Sequence, residues 1–165
     1  LQEGLKIEVQ SLLICFLSFL FFNLKNKLFF GDGGAYLSGA ILGLLIIFLM
    51  YDDTSISPFF YIILTSYLGS EVLVSFVRRV IKKESGVIAD FNHLHSMLFK
   101  IFKTKTKMNP HVSTTLLINL IYFIAVFPSL FFASSFEITR NYAIILYIFF
   151  ILFYFFVKKI FKNLI

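Results

Sequence analysis

A chain of 165 residues that is 59% hydrophobic, with 24 Phe and a mean hydropathy of +0.89, would have to expose a large apolar area if it were a water-soluble domain, so it reads as an integral membrane protein. Its net charge of +6 comes with basic residues gathered on one side of the apolar segments, which points to membrane orientation and away from nucleic-acid binding. Cys15 is the one cysteine and lies inside an apolar segment, so neither a disulfide framework nor a zinc site follows from it, and it reads as packing.

Five segments are long and apolar enough to approach the roughly 20 residues that a hydrocarbon core requires. They fall near residues 8–24, 34–51, 57–80, 111–133 and 142–158. Each is predicted as a helix, because a helix satisfies its own backbone hydrogen bonds in lipid. Glu8 and Gln10 shorten the uninterrupted part of the first segment to about Ser11–Phe22. The predicted architecture is an all-α, polytopic transmembrane bundle of about five spans, forming one integral membrane domain over 1–165. No repeat of fixed period and no helix interruption are evident. The chain opens on Leu1 with no basic segment and cleavage site ahead of the first span, which suggests a piece of a longer or processed protein.

If the spans alternate, thirteen of the fifteen basic residues lie on one side and only Lys6 and Arg140 on the other. The positive-inside rule then places the Asp32 end, the 81–110 loop and the C-terminus in the cytoplasm.

The first chemistry-bearing stretch is Phe30-Gly31-Asp32-Gly33-Gly34-Ala35-Tyr36, between the first two spans. Its glycines are ordinary turn residues, and Asp32 suits a cap on the following helix. The same carboxylate at a membrane surface also suits a metal ion, and the helix N-terminus beside it favours a bound phosphate. Asn23, just before this stretch, reads either as a helix C-cap or as a polar contact for a ligand. Lys25 and Lys27 read as topology and headgroup residues or as attractors of phosphate. On the second span, Ala35, Gly39 and Gly43 form a small-residue stripe expected to pack closely on another helix.

Glu71 lies in the third predicted span, where an unpaired carboxylate is costly and usually faces a partner. Arg78 and Arg79, seven and eight residues on, are about 10 Å or more along the helix, too far to be its i,i+4 partners. A structural hydrogen bond or ion pair with another helix is expected for it ahead of catalysis.

The polar loop Lys82–His111, about 30 residues long, is longer than the roughly 12–15 residues beyond which structureless loops become uncommon. It holds Asp90-Phe91-Asn92-His93-Leu94-His95. Two histidines at i and i+2 share a face of an extended segment but lie about 200° apart on a helix, so their joint use favours an extended or irregular turn. Asp90 could orient one imidazole and fix its tautomer. Taken alone, the pair also reads as a solvated loop.

Both stretches fall on the same predicted side of the membrane, and together they resemble the polyprenyl-phosphate N-acetylhexosamine-1-phosphate transferase family. Phe22-Asn23 followed by Phe29 to Gly39 is similar to the family's F-N … F-x-G-D-x-G segment. Glu71 to Arg79 resembles its acidic-to-Arg-Arg element, Asp90 to His95 its D-x-x-H-L-H loop, and Asn109-Pro110 to Thr114 the short polar segment after it. The resemblance covers about residues 20–115 and lies in order and spacing. Ser96 stands where many members have a third histidine, and the family's earlier half, with its Asp-Asp motif, has no counterpart, so the resemblance implies the C-terminal half of an enzyme.

For that enzyme the resemblance implies transfer of a sugar-1-phosphate from a UDP-N-acetylamino sugar to undecaprenyl phosphate, with release of UMP, as the first step of a cell-envelope glycan. It implies Mg²⁺, with Mn²⁺ as the alternative, and Asp32 as a metal ligand. His93 and His95 would act on the nucleotide-sugar phosphates, Asp90 would orient one of them, and Asn23 would touch the nucleotide. The implied location is the bacterial inner membrane with a cytoplasmic active site; membrane lipid is a partner, and a homodimer is one arrangement open to it. Two other classes stay open: a non-catalytic membrane protein that binds lipid or a partner, and a small transporter subunit centred on Glu71.

Overall fold

The computed structural model describes residues 3–25, 27–83 and 92–164; Asp90 lies outside the described residues. The described residues are all-α, with no strand among them. Three helical stretches are long and apolar enough to cross a membrane, Gly31–Asp52, Pro110–Phe132 and Phe136–Lys162, and a bent pair makes a fourth if it is taken as one span. The protein is membrane-embedded, an all-α helical bundle as expected, and Val9–Leu24 is a further, shorter apolar helix among the described residues. The chain folds as two compact units, 1–54 and 55–165, each described by itself.

The first unit is a helical hairpin of α1 (Glu3–Leu24) and α2 (Gly31–Asp52). Asn23 closes the connection by donating from Nδ2 to the Leu28 carbonyl at 2.9 Å. Phe30 then anchors the start of α2 on α1, its ring centroid 4.6 Å from that of Phe19. The ring also lies over Gly34, where an added Cβ would meet it at 3.1 Å. Gly31 holds φ +64, the left-handed region in which glycine carries no steric cost. The small-residue stripe does not pack as expected: a Cβ at Gly39 or Gly43 would meet nothing within 4 Å. Cys15, expected in packing, is exposed.

Among the described residues the second unit holds five α-helices and a 3₁₀ turn: α3 (Pro58–Leu64), α4 (Ser66–Lys82), α5 (Leu94–Lys105), α6 (Pro110–Val126), the turn Phe127–Phe132, and α7 (Phe136–Lys162). Ser57 caps α3 by accepting the Phe59 N–H, with Pro58 in the first turn where its missing N–H costs nothing. Thr139 of α7 donates to Ser57 Oγ at 2.7 Å and fixes that end of the helix.

The third predicted span is broken. α3 and α4 meet at Thr65 with a bend of 71°, although neither Gly nor Pro marks the position. Thr65 Oγ1 bonds back to the carbonyls of Tyr61 and Ile62, both at 3.2 Å, and the Tyr122 hydroxyl from α6 donates to the Leu64 carbonyl. A side-chain hydroxyl and a neighbouring helix thus satisfy carbonyl groups at the break, as a membrane interior requires.

Beyond the bend α4 runs against α7 at Gly69. A Cβ there would collide with the Tyr147 hydroxyl, so glycine leaves room on α4 for the tip of that side chain. One buried cluster, Ile63, Val126, Ala143 and Leu146, sits beside the 3₁₀ turn. The other, Leu94, Met97, Leu98, Tyr154 and Val157, lies where α5 packs on α7. The loop expected over 81–110 is therefore partly helical: α5 is amphipathic, and its apolar face completes this second cluster. Much of the remaining Phe-rich surface, including Phe76, Phe123, Phe131 and Phe156, points outward, as lipid-facing helices require.

Replacing Gly69 by Val should lower the stability of the detergent-solubilised protein by about 1–3 kcal/mol. Adding Tyr147→Ala should recover part of that loss, as thermal unfolding of the single and double variants would show. Strict additivity of the two changes would refute the contact.

Candidate functional site

The chemistry-bearing residues of the second unit gather where α4 approaches the start of α5. Glu71 and Ser75 are four apart on α4 and so share a face of that helix. Glu71 directs both carboxylate oxygens at the next element: Oε1 accepts the Leu94 N–H at 2.7 Å, and Oε2 lies 3.1 Å from His93 Nδ1. Ser75 Oγ is 3.3 Å from the same nitrogen. Glu71 is thus the anion at the N-terminus of α5, where free N–H groups and the helix dipole both favour negative charge. Its side chain is 13% exposed and that of His93 32%, so the pair is only partly open to solvent.

This contact decides the histidine's chemistry. A carboxylate accepts, so the proton of a neutral His93 ring belongs on Nδ1 and Nε2 is left as the acceptor. The carboxylate on His93, among the described residues, is Glu71; this is the hydrogen bond to another helix expected of it.

His93 is the N-cap residue of α5, with extended backbone at φ −73 and ψ 149, and His95 lies in the first turn. The two rings stack with centroids 5.6 Å apart and planes 10° from parallel. An extended His93 was expected; a helical His95 was not, and the step from one conformation to the other brings both rings together. Tyr154 of α7 secures the segment just before them by donating to the Asn92 carbonyl at 3.0 Å.

The stacked rings line different cavities. His93 lines one of about 690 Å³ with Glu71, Ser75, Arg79 and Lys83. His95 lines another of about 520 Å³ between α5 and α6, with Lys100, His111, Thr115 and Asn119. The His111 ring lies tilted at 42° against Phe99, centroids 4.5 Å apart, and its backbone N–H donates to the Asn109 side chain that caps α6. Both cavities combine cationic side chains with imidazole, a set suited to phosphate oxygens. His95 titrates below its ordinary 6.5: burial disfavours the charged ring most, Glu71 opposes that effect, and His93 adds to it.

In the first unit, Asp32 is the acidic residue in the first turn of α2 and does not cap the helix; Phe30 occupies the N-cap position without a side-chain bond. Asn23 has its amide on the Leu28 carbonyl, so it serves the inter-helix turn. Among the described residues no group of three or more His, Cys, Asp or Glu is placed to hold a metal. Asp32 offers a single carboxylate, which is not a complete metal site. Sequence reasoning missed Ser75, Lys100 and His111 as site residues. The i,i+4 spacing of Glu71 and Ser75 was a usable signal; the position of His111 against Phe99 was not.

The His95 ring should titrate below 6.5 by NMR of the labelled protein, and Glu71→Gln should take the midpoint lower still, because the charge that opposes the depression is gone. The fold favours neutral His95, so its effect on stability appears as a loss when pH falls below 6.5 through the folded-state value. A midpoint at or above 6.5 would contradict the burial of this ring.

Comparison of the chain with protein-family models, with curated proteins and with solved structures gives no match, so what this site does rests on its own geometry.

Proposed function

We propose that this chain serves the transfer of an N-acetylaminosugar-1-phosphate from a UDP-sugar to undecaprenyl phosphate, with release of UMP, at the basic end of the membrane bundle. The observation that carries the reading is the Glu71-held His93, which lines one cavity together with Arg79 and Lys83. Two anionic reactants repel, so a phosphoryl-transfer site needs positive charge and fixed donors where charge collects. Arg79 and Lys83 supply positive charge in the cavity that His93 lines, and Lys100 supplies it in the cavity that His95 and His111 line.

In this reading His93 reaches the phosphates of the nucleotide sugar, and Glu71 orients its ring. His95 is held mainly neutral by burial, so it acts as a hydrogen-bond partner in place of a charge. Asp32, in the first unit, is the residue that the family resemblance would make a Mg²⁺ ligand, through one carboxylate oxygen, with substrate oxygens and water as the other ligands. The metal, when bound, would screen the pyrophosphate. The cytoplasmic side of a bacterial inner membrane is where the basic end would lie.

A transporter subunit is the second reading, and the 71° break at Thr65 favours it, because interrupted helices accompany substrate sites in transporters. Against it, the Glu71 carboxylate is committed to the start of α5.

Membranes carrying the full natural protein should release UMP from UDP-N-acetylglucosamine or another UDP-amino sugar only when undecaprenyl phosphate and Mg²⁺ are both present. His93→Ala should lower kcat/KM by about 10²-fold, the scale of losing one preorganised donor. Asp32→Asn should abolish turnover while the protein still inserts in the membrane. Unchanged kcat/KM in His93→Ala would remove His93 from the site, and no UMP release from any UDP-amino sugar would defeat the reading.

A further inference from the structure

The C-terminal ends of α5 and α7 converge in the second unit. Tyr154 of α7 reaches the Asn92 carbonyl just ahead of α5, and about two turns further along both helices the Lys100 ammonium lies 5.4 Å from the centroid of the Phe161 ring. Contacts that advance together in this way mean that the two helices run side by side in the same direction, and both end here, α5 at Lys105 and α7 at Lys162. α6 begins at the same end, because only 106–109 separate Pro110 from α5. Since α6 with its 3₁₀ extension and α7 are each long and apolar enough to cross a membrane, this end lies at a membrane surface.

Five lysines crowd this end: Lys103 and Lys105 in the last turn of α5, Lys107 in the turn that follows, and Lys159 and Lys162 in the last turn of α7. All five are exposed, and none lines either histidine cavity. Among the described residues, none of the five has an ion-pair partner. The carboxylates among the described residues of the second unit are Glu71 and Glu137. Glu71 is bound to the opposite end of α5, about 15 Å away along that helix, and Glu137 opens α7, about 33 Å along it from Lys159. The carbonyl-rich ends of α5 and α7 offset only about half a charge each, and the start of α6 restores about as much as one of them removes. Most of the positive charge is therefore uncompensated by the protein.

We propose that this end of the second unit is a docking surface for anionic phospholipid headgroups, with Lys103, Lys105, Lys107, Lys159 and Lys162 set against the phosphates of the leaflet in which α7 ends. Charge and position both select this occupant. Lys159 and Lys162 follow Val157, the last buried apolar residue of α7, by roughly 3 and 8 Å along the axis, which is the depth of a headgroup layer. The long apolar stems of the lysines on α5 and the turn let their ammonium groups reach the same layer. Lysines held so close to an anionic leaflet each strengthen its attraction about fivefold. Docking there holds α5, whose apolar face already packs on α7, to the membrane surface. The surface does not depend on the transferase reading, because it uses none of the residues placed at the sugar-nucleotide cavities.

The test is electron paramagnetic resonance of the full protein reconstituted in phosphatidylcholine bilayers with a trace of spin-labelled lipid. Spin-labelled phosphatidylglycerol should associate with the unaltered protein about 3- to 10-fold more strongly than spin-labelled phosphatidylcholine, and high salt should remove most of the difference. Lys103→Gln, Lys105→Gln, Lys107→Gln, Lys159→Gln and Lys162→Gln combined should bring the ratio to within about twofold of unity, whereas the same five residues changed to Arg should keep it. A smaller change covers the case in which the fivefold variant does not fold. Lys159→Gln with Lys162→Gln should lower the ratio by about half, and Lys6→Gln with Arg140→Gln, an equal loss of charge on the predicted opposite side, should leave it as it was. A ratio near unity for the unaltered protein, an undiminished ratio in the five-Gln variant, or equal loss in the two paired variants would overturn the surface.

Discussion

Glu71 is the constraint on which the described site depends. A carboxylate that is mostly buried must find hydrogen-bond donors, and this one finds them in the Leu94 N–H and the His93 ring. Hydrogen bonds to a charged group contribute roughly 1.5–3 kcal/mol each when well made, enough to hold the start of a twelve-residue helix that could not form alone. The same contact orders two things at once. It sets where α5 begins, and through the proton on Nδ1 it sets what His93 offers to a ligand.

The packing around that contact follows from it. Once α5 starts at Leu94, its apolar face, Leu94, Met97 and Leu98, meets Tyr154 and Val157 of α7 in one buried cluster. Tyr154 also reaches the Asn92 carbonyl, so α7 and α4 hold the histidine segment from two sides. The bend at Thr65 comes six residues before Glu71, so α4 runs at 71° to α3 when it reaches the site. Rigid helices therefore position a short segment of irregular backbone, the usual arrangement for a binding site.

The long apolar helices were legible in the sequence because length and hydropathy alone decide them in lipid: α2, α6 with its 3₁₀ extension, and α7 lie close to where the residues put them. The break at Thr65 was not legible. It depends on a threonine bonding back to its own helix and on Tyr122, 57 residues further on, meeting the Leu64 carbonyl. Helix α5 was legible in principle, since Leu94, Met97, Leu98, Ile101 and Phe102 recur at helical spacing, but the polar residues around them read as loop. At the site, the need of Glu71 for a partner was readable from its apolar surroundings. Which donors it takes was not, because they lie 22 and 23 positions away and depend on how the chain turns back. The acidic turn at Asp32 was readable as the start of a helix, but its expected role as a cap was not what the backbone adopted.

The claim at the centre of this account is that Glu71 fixes the His93 ring with its proton on Nδ1. Nitrogen-15 NMR of the histidine-labelled protein, at a pH where the ring is neutral, tests it directly. The account predicts a protonated Nδ1 and an unprotonated Nε2, with the preference lost in Glu71→Gln. A ring protonated on Nε2, or one that averages between tautomers as free imidazole does, would contradict it.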